Sequence, residues 1–319
     1  MWRTCGAGSR MRSTCGGGGG WWAPILERSI WKGVLMNDKE RAAELGLRSE
    51  HAAVNGTELH YVTGGQGEPV VLLPGWPETW WAYHKVLPRL AEQHQVIAVD
   101  LRGMGGSAKP DSGYDKKTMA RDIHELIRHL GHERADVVGH DIGSMVAFSL
   151  AANHPDTVRR VSMLDVAHVN ESFRQLRLLG PNTLWWWAFN QLDGLPEQLL
   201  EGRARFLVDH IVDRLAVRRD AITDRDRAVY AEAYDTAAAI RAGNGWFRTV
   251  EQDIDDIGTY EKVTAPILAL LAPWVRARTE PGITGYATDV RVVEVPDSGH
   301  FIAEEAPDLV VDELTRFFG

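Results

Sequence analysis

The sequence predicts an α/β protein: a mostly parallel, doubly wound sheet interrupted once by a block of helices. Short apolar runs of strand character recur at residues 58–62, 69–73, 95–100, 135–138, 160–164, 267–271 and 290–295. Helical apolar spacing fills most of the gaps, as at 79–93, 117–130 and 144–153, and such alternation indicates parallel strands joined by crossover helices. The alternation stops near Val169. From there to about Ile257 the chain reads as helices only, including 196–215 and 224–242, before a strand resumes after Pro266. The expected organisation is an N-terminal extension, 1–48, a core of residues 49–168 and 258–319, and a helical cap, 169–257.

A chain of 319 residues with 44% hydrophobic content can bury a large core. The formal charge of -9 and the absence of a basic run argue against nucleic acid or an anionic membrane as partner. No apolar run approaches membrane-spanning length, so a soluble, cytoplasmic protein is expected. Its expected partners are a small-molecule substrate and a second copy of the chain in a homodimer. Cys5 and Cys15 both lie in the N-terminal extension. The globular part therefore has no disulfide framework and no thiolate metal site.

Taken in chain order, residues 1–35 stand apart, with five consecutive glycines at 16–20, Trp21-Trp22 and scattered arginines without periodicity. A secretory signal needs an uninterrupted apolar segment and a small-residue cleavage site, and the segment offers neither. It is expected to be a poorly ordered extension ahead of a start at Met36. An amphipathic anchor over 21–34 is the weaker alternative, because its polar face is weakly basic.

The run 69–73 then leads into Pro74-Gly75-Trp76-Pro77, and the run 95–100 into Asp100-Leu101-Arg102-Gly103-Met104-Gly105-Gly106-Ser107. The next strand carries the most informative stretch, Val137-Val138-Gly139-His140-Asp141-Ile142-Gly143-Ser144. A strand-to-helix elbow forces its central residue into strained backbone space and needs small neighbours for close packing, and here those neighbours are Gly139, Gly143 and Ser144. The strand side is a short apolar run suited to a buried parallel strand. The helix side has apolar residues at helical spacing and ends at His154-Pro155. Asp141 stands on the crest as a candidate nucleophile. Taken in isolation, the same five residues read as a glycine turn with Asp141 as a helix cap.

Further on, the run 160–164 ends in Asp165, 24 residues after Asp141. Late in the chain, Val295-Pro296-Asp297-Ser298-Gly299-His300 reads as a strand followed by a loop at the sheet edge that carries ligands in open α/β folds. Phe301 and Glu304-Glu305-Ala306-Pro307 follow it.

These segments, in this order, resemble the α/β-hydrolase fold in the branch where aspartate replaces serine as nucleophile: epoxide hydrolases and haloalkane or haloacetate dehalogenases. The resemblance runs from about His51 to Phe318. Residues 72–77 resemble the family's His-Gly-x-Pro loop, with Pro74 in place of the histidine. The resemblance implies that Asp141 attacks carbon and forms an alkyl-enzyme ester, which His300 hydrolyses as base. It implies an acid that orients His300, either Asp165 after the strand following the elbow or a residue after the next strand, where Glu280 stands. Residues 273–280 lack the usual glycine-rich, acid-bearing loop, so Asp165 is preferred; its plainer role is to cap a turn. Backbone N–H groups of Trp76 and Ile142 are the implied oxyanion donors. No metal or organic cofactor is implied.

Opening an epoxide leaves an alkoxide that needs a proton, and the family's cap supplies it from tyrosines or a histidine. At the matching cap positions this chain carries Trp186 and Phe247, neither of which delivers a proton. Tyr230 and Tyr234 are the remaining candidates, with half-exposed helix positions as their plainer reading. Trp185 and Trp186 line the expected pocket, and apolar packing of the cap explains them better than a halide site. Ile142 and Met145 stand where haloacetate dehalogenases place arginines for the substrate carboxylate. The leading expectation is an epoxide hydrolase-like enzyme acting on a small apolar epoxide. The alternatives are a haloalkane-type dehalogenase and a ligand-binding homologue without turnover.

Overall fold

The computed structural model describes residues 36–176 and 185–319. The expectation for residues 1–35 lies outside the described residues. Eight strands, β1 (Arg48–Val54), β2 (Thr57–Gly64), β3 (Pro69–Leu73), β4 (Gln95–Val99), β5 (Ala135–His140), β6 (Val158–Leu164), β7 (Ile267–Leu271) and β8 (Val290–Glu294), form one sheet in the order β1-β2-β4-β3-β5-β6-β7-β8. β2 pairs antiparallel with β1 and β4, and every pairing from β4 to β8 is parallel. Strands β3 and β5 are buried at every position, as strands covered on both faces must be. Helices Lys116–His129 and Ile142–Asn153 occupy crossovers of this sheet, giving the α/β-hydrolase architecture.

Residues 36–48 do not belong to an extension. Met36–Gly319 forms one compact unit, in which helix Asp38–Glu44 starts with a reciprocal capping box between Asn37 and Glu40 and β1 begins at Arg48. β1 is an edge strand with four exposed residues. A strand wet on one face carries no continuous apolar run, which is why the sequence pattern missed it.

Between β6 and β7 the described residues hold helices and no strand, from Glu171–Leu176 to Val250–Ile257. Several expected helices are shorter than the apolar spacing implied. Residues 79–93 become a 3₁₀ turn, Trp80–Tyr83, and a short helix, Leu87–Leu90, with Pro88 in its first turn. Residues 196–215 divide at Gly202, whose φ of 70° only glycine adopts readily. Residues 224–242 divide into Asp224–Ala233 and Ala237–Arg248, each with a threonine side chain capping its start. Tyr234 thus sits at a bend, free to face the core.

The insertion is bolted to the sheet domain by buried polar contacts. Lys116 Nζ lies 2.7 Å from Asp253 Oδ2, Trp246 Nε1 donates to the Arg102 carbonyl at 3.0 Å, and Trp81 Nε1 donates to Asp226 Oδ1 at 2.8 Å. No helix among the described residues is long and apolar enough to cross a membrane.

Candidate active site

Asp141 follows β5 directly and has φ 48° and ψ -116°, a strained region for any residue with a side chain. Close packing holds it there. A Cβ on Gly139 would lie 2.3 Å from the Gly143 carbonyl oxygen, and one on Gly143 would lie 2.0 Å from that of Leu73. Ser144 Oγ donates to the Gly139 carbonyl at 2.7 Å and closes the elbow. The carboxylate itself is met by the Trp76 N–H, 3.0 Å from Oδ2. Ile142 is the first residue of the following helix, so its N–H has no acceptor within the helix.

His300 lies beyond β8 and is 7% exposed. Its Nδ1 is 2.7 Å from Asp165 Oδ2, while Asp165 Oδ1 accepts the Ala272 N–H at 3.2 Å. The pairing fixes the ring, and Nε2 meets no hydrogen-bond partner among the described residues. Glu280 does not take the acid's place. It lies on helix Pro273–Thr284 and pairs with Arg276 at 3.1 Å.

A second pair of residues, overlooked in the sequence, stands behind this one. His140 Nδ1 is 2.7 Å from Glu78 Oε2, and His140 Nε2 is 2.8 Å from the His300 carbonyl oxygen. With an acceptor opposite each nitrogen, both must carry protons. Burial opposes the charge, but Glu78 above all, with Asp141 and Asp165, outweighs it and raises the His140 pKa to about 9. Burial likewise opposes the Glu78 charge, and His140 holds its carboxyl below the usual range. Glu78 also accepts the Gly75 N–H at 3.2 Å. The pair thereby ties together the Trp76 loop, the elbow and the His300 loop. No pattern of side-chain types announces the pair, because its two members stand 62 residues apart in the chain.

Glu305 is the other residue that sequence reasoning passed over. Its Oε2 accepts the N–H groups of Val217, Arg218 and Gly299 at 2.8, 2.8 and 2.9 Å, and its Oε1 that of Phe301 at 3.0 Å. The N–H between them, that of His300, donates to the Leu215 carbonyl at 3.0 Å.

The insertion contributes mainly aromatic packing. Trp187 lies between Phe173 and Phe247, with centroids 4.6 and 4.9 Å away, and Phe247 meets Trp76 edge-on at 5.1 Å. Trp185 is partly exposed and packs edge-on against the buried Trp186. Both tyrosines are buried, contrary to the half-exposed expectation. Tyr234 donates its hydroxyl to the Glu78 carbonyl at 2.8 Å, and burial, then Asp100, Glu78 and Asp141, push its pKa well above the ordinary value. Tyr230 lies deeper, where burial and then Glu304, Glu78 and Asp226 raise its pKa. A small cavity lined by Trp76, Tyr234 and Asn244 adjoins the site. A larger concavity, about 970 Å³, is an open shelf lined by Asn55, Lys109, Glu125 and Arg128. None of the catalytic candidates lines it, so its size does not mark the site.

Comparison with known proteins agrees with this geometry. Residues 68–307 match the family model described as alpha/beta hydrolase fold. A soluble epoxide hydrolase from Corynebacterium sp. (strain C12) is 34% identical over 85% of this chain and 97% of its own length. A fluoroacetate dehalogenase from Burkholderia sp is 28% identical over 85% of this chain and 94% of its own. The crystal structure of Cfl2 from Burkholderia cenocepacia superposes with a TM-score of 0.77 at 30% identity, covering 86% of this chain and 96% of that one. The chain belongs to the alpha/beta hydrolase fold family and is a hydrolase enzyme.

Proposed function

We propose that the chain hydrolyses a small, mainly apolar epoxide through an ester on Asp141. The observation that supports this best is the crest position of Asp141, with the Trp76 N–H on one oxygen and the Asp165-oriented His300 nearby. An Asp141 oxygen bonds to an epoxide carbon, the carbon–oxygen bond of the ring breaks, and the oxygen leaves as an alkoxide. Tyr234 is the proton source we assign, because its hydroxyl is a donor and it lines the cavity beside Trp76, whose N–H meets Asp141. Water then adds to the ester carbonyl while His300 Nε2 takes its proton. The N–H groups of Trp76 and Ile142 hold the resulting oxyanion, and its collapse breaks the bond to the substrate oxygen, which takes the proton from His300 and leaves as the diol, while the Asp141 carboxylic acid returns its proton to the Tyr234 phenolate.

Mass spectrometry tests the pathway. His300→Gln incubated with styrene oxide should accumulate a covalent adduct on Asp141, and Asp141→Asn should not; an adduct on another residue overturns the reading. Haloalkane displacement is the second reading, favoured by Phe247 lying where a proton donor is expected, since a departing halide needs no proton. Tyr234→Phe separates the two. It should slow diol formation about 10²- to 10⁴-fold and leave halide release from short haloalkanes unaffected if that is the true reaction.

A further inference from the structure

Asn244 is 2% exposed, and its Nδ2 has no hydrogen-bond partner. It lines a cavity of about 10 Å³, room for a single water molecule. The remaining walls are nearly all apolar: Leu200, Leu207, Val208 and Ile240 from the insertion, with Trp76 and Tyr234 on the catalytic side. Tyr234 has already given its hydroxyl to the Glu78 carbonyl. A water here would lack the several polar partners that hold buried water in place, whereas a buried amide N–H₂ without an acceptor is itself unfavourable. Apolar walls beside one unpaired donor match ligand pockets in composition, though at this size the space takes a substrate group only if its walls move apart.

The cavity is linked to the reacting carboxylate through Trp76, whose N–H donates to Asp141 and which lines the cavity. The neighbouring residue Gly243 packs so closely that a Cβ there would sit 3.6 Å from Trp76 Nε1 and 3.2 Å from the Tyr234 ring. The helix bearing Asn244 is therefore held directly over the oxyanion loop.

We propose that Asn244 and this cavity form a substrate subsite that reads one hydrogen-bond acceptor, an ether or carbonyl oxygen, on an otherwise apolar arm of the epoxide. The inference rests on Asp141 as nucleophile. In the resting enzyme the space holds at most one weakly held water, and the substrate arm displaces it as the surrounding helices part. Asn244 binds no reacting atom; it sets which arm fits.

Matched substrates test this. Wild-type enzyme is assayed with 1,2-epoxyheptane and with analogues in which an ether oxygen replaces one chain methylene at successive positions. One ether position should exceed the alkane in kcat/KM by about 3- to 10-fold, and Asn244→Leu should bring that ratio to about one. Equal kcat/KM at every position in the wild type, or an unchanged ratio in Asn244→Leu, overturns the subsite. Thermal shift of Asp141→Asn by the same ligands, with and without Asn244→Leu, reads recognition without turnover. If the Asp141 ester never forms in His300→Gln, the mechanism fails separately, and the thermal shifts still decide the role of Asn244.

Discussion

Two corners of the sheet carry the same device for different ends. At β6 and the loop after β8, His300 Nδ1 lies 2.7 Å from Asp165; at β2 and the loop after β4, His60 Nδ1 lies 2.7 Å from Asp100. Both pairs are buried. Ser49 Oγ even stands 2.9 Å from His60 Nε2, giving this corner the outline of a serine-type triad. The difference lies in the remaining nitrogen and the surroundings. His60 is closed off by Ser49 and its Asp100 also accepts the Trp80 and Gly106 N–H groups, so the assembly stitches loops together. His140, paired with Glu78, is closed off in the same way by the His300 carbonyl. Only where the second nitrogen is left open beside an activated group can a buried imidazole act as a base, and among these pairs that is His300.

The largest effect should come from breaking the open pair. Asp165→Asn should lower turnover about 10³- to 10⁴-fold by releasing the tautomer of His300, with folding retained by circular dichroism. Asp100→Asn should instead lower thermal stability and leave ester hydrolysis in the folded fraction intact. Equal catalytic loss in both variants would dissolve the distinction. Glu280→Gln should leave turnover nearly unchanged, because Glu280 pairs with Arg276 and not with His300.

The closed pair gives an intermediate effect. Glu78→Gln leaves the His140 cation buried without its counter-charge and should cost about 3 kcal/mol in denaturant unfolding. Replacing both, as Glu78→Gln with His140→Gln, should recover part of that loss. Additive losses would contradict a charged pair.

The smallest effect concerns Glu304, 1% exposed, whose carboxyl faces the Tyr230 hydroxyl. Burial, then Glu78 and Asp226, raise its pKa well above 4.5. Above pH 4.5 the unfolded chain releases this proton while the folded chain keeps it, so the group destabilises the fold increasingly as pH rises. Glu304→Gln should therefore raise Tm more at pH 8 than at pH 5. A parallel shift at both values would show that Glu304 is ionised in the folded state.

Much of this was legible because close backbone approach restricts residue choice. Only glycine fits at 139 and 143, so the elbow shows in the sequence, and His300 follows a glycine loop after a strand for related reasons. Asp165 could be placed because it ends an apolar strand. The edge strand β1 was hidden by its wet face, and the helix boundary at Tyr234-Asp235-Thr236 by apolar spacing that continues across it. Glu78 and Glu305 were hidden for a different reason. Their partners are a histidine distant in sequence and backbone N–H groups, which leave no pattern of side-chain types. The burial of both tyrosines depended on the bend that spacing concealed.

Glu305 has a further consequence. One carboxylate grips Val217 and Arg218 of the insertion together with the residues flanking His300. Were residues 217 and 218 to move, the loop that carries His300 would be disturbed through the same carboxylate, so the ordering of this imidazole depends on the insertion as well as on Asp165.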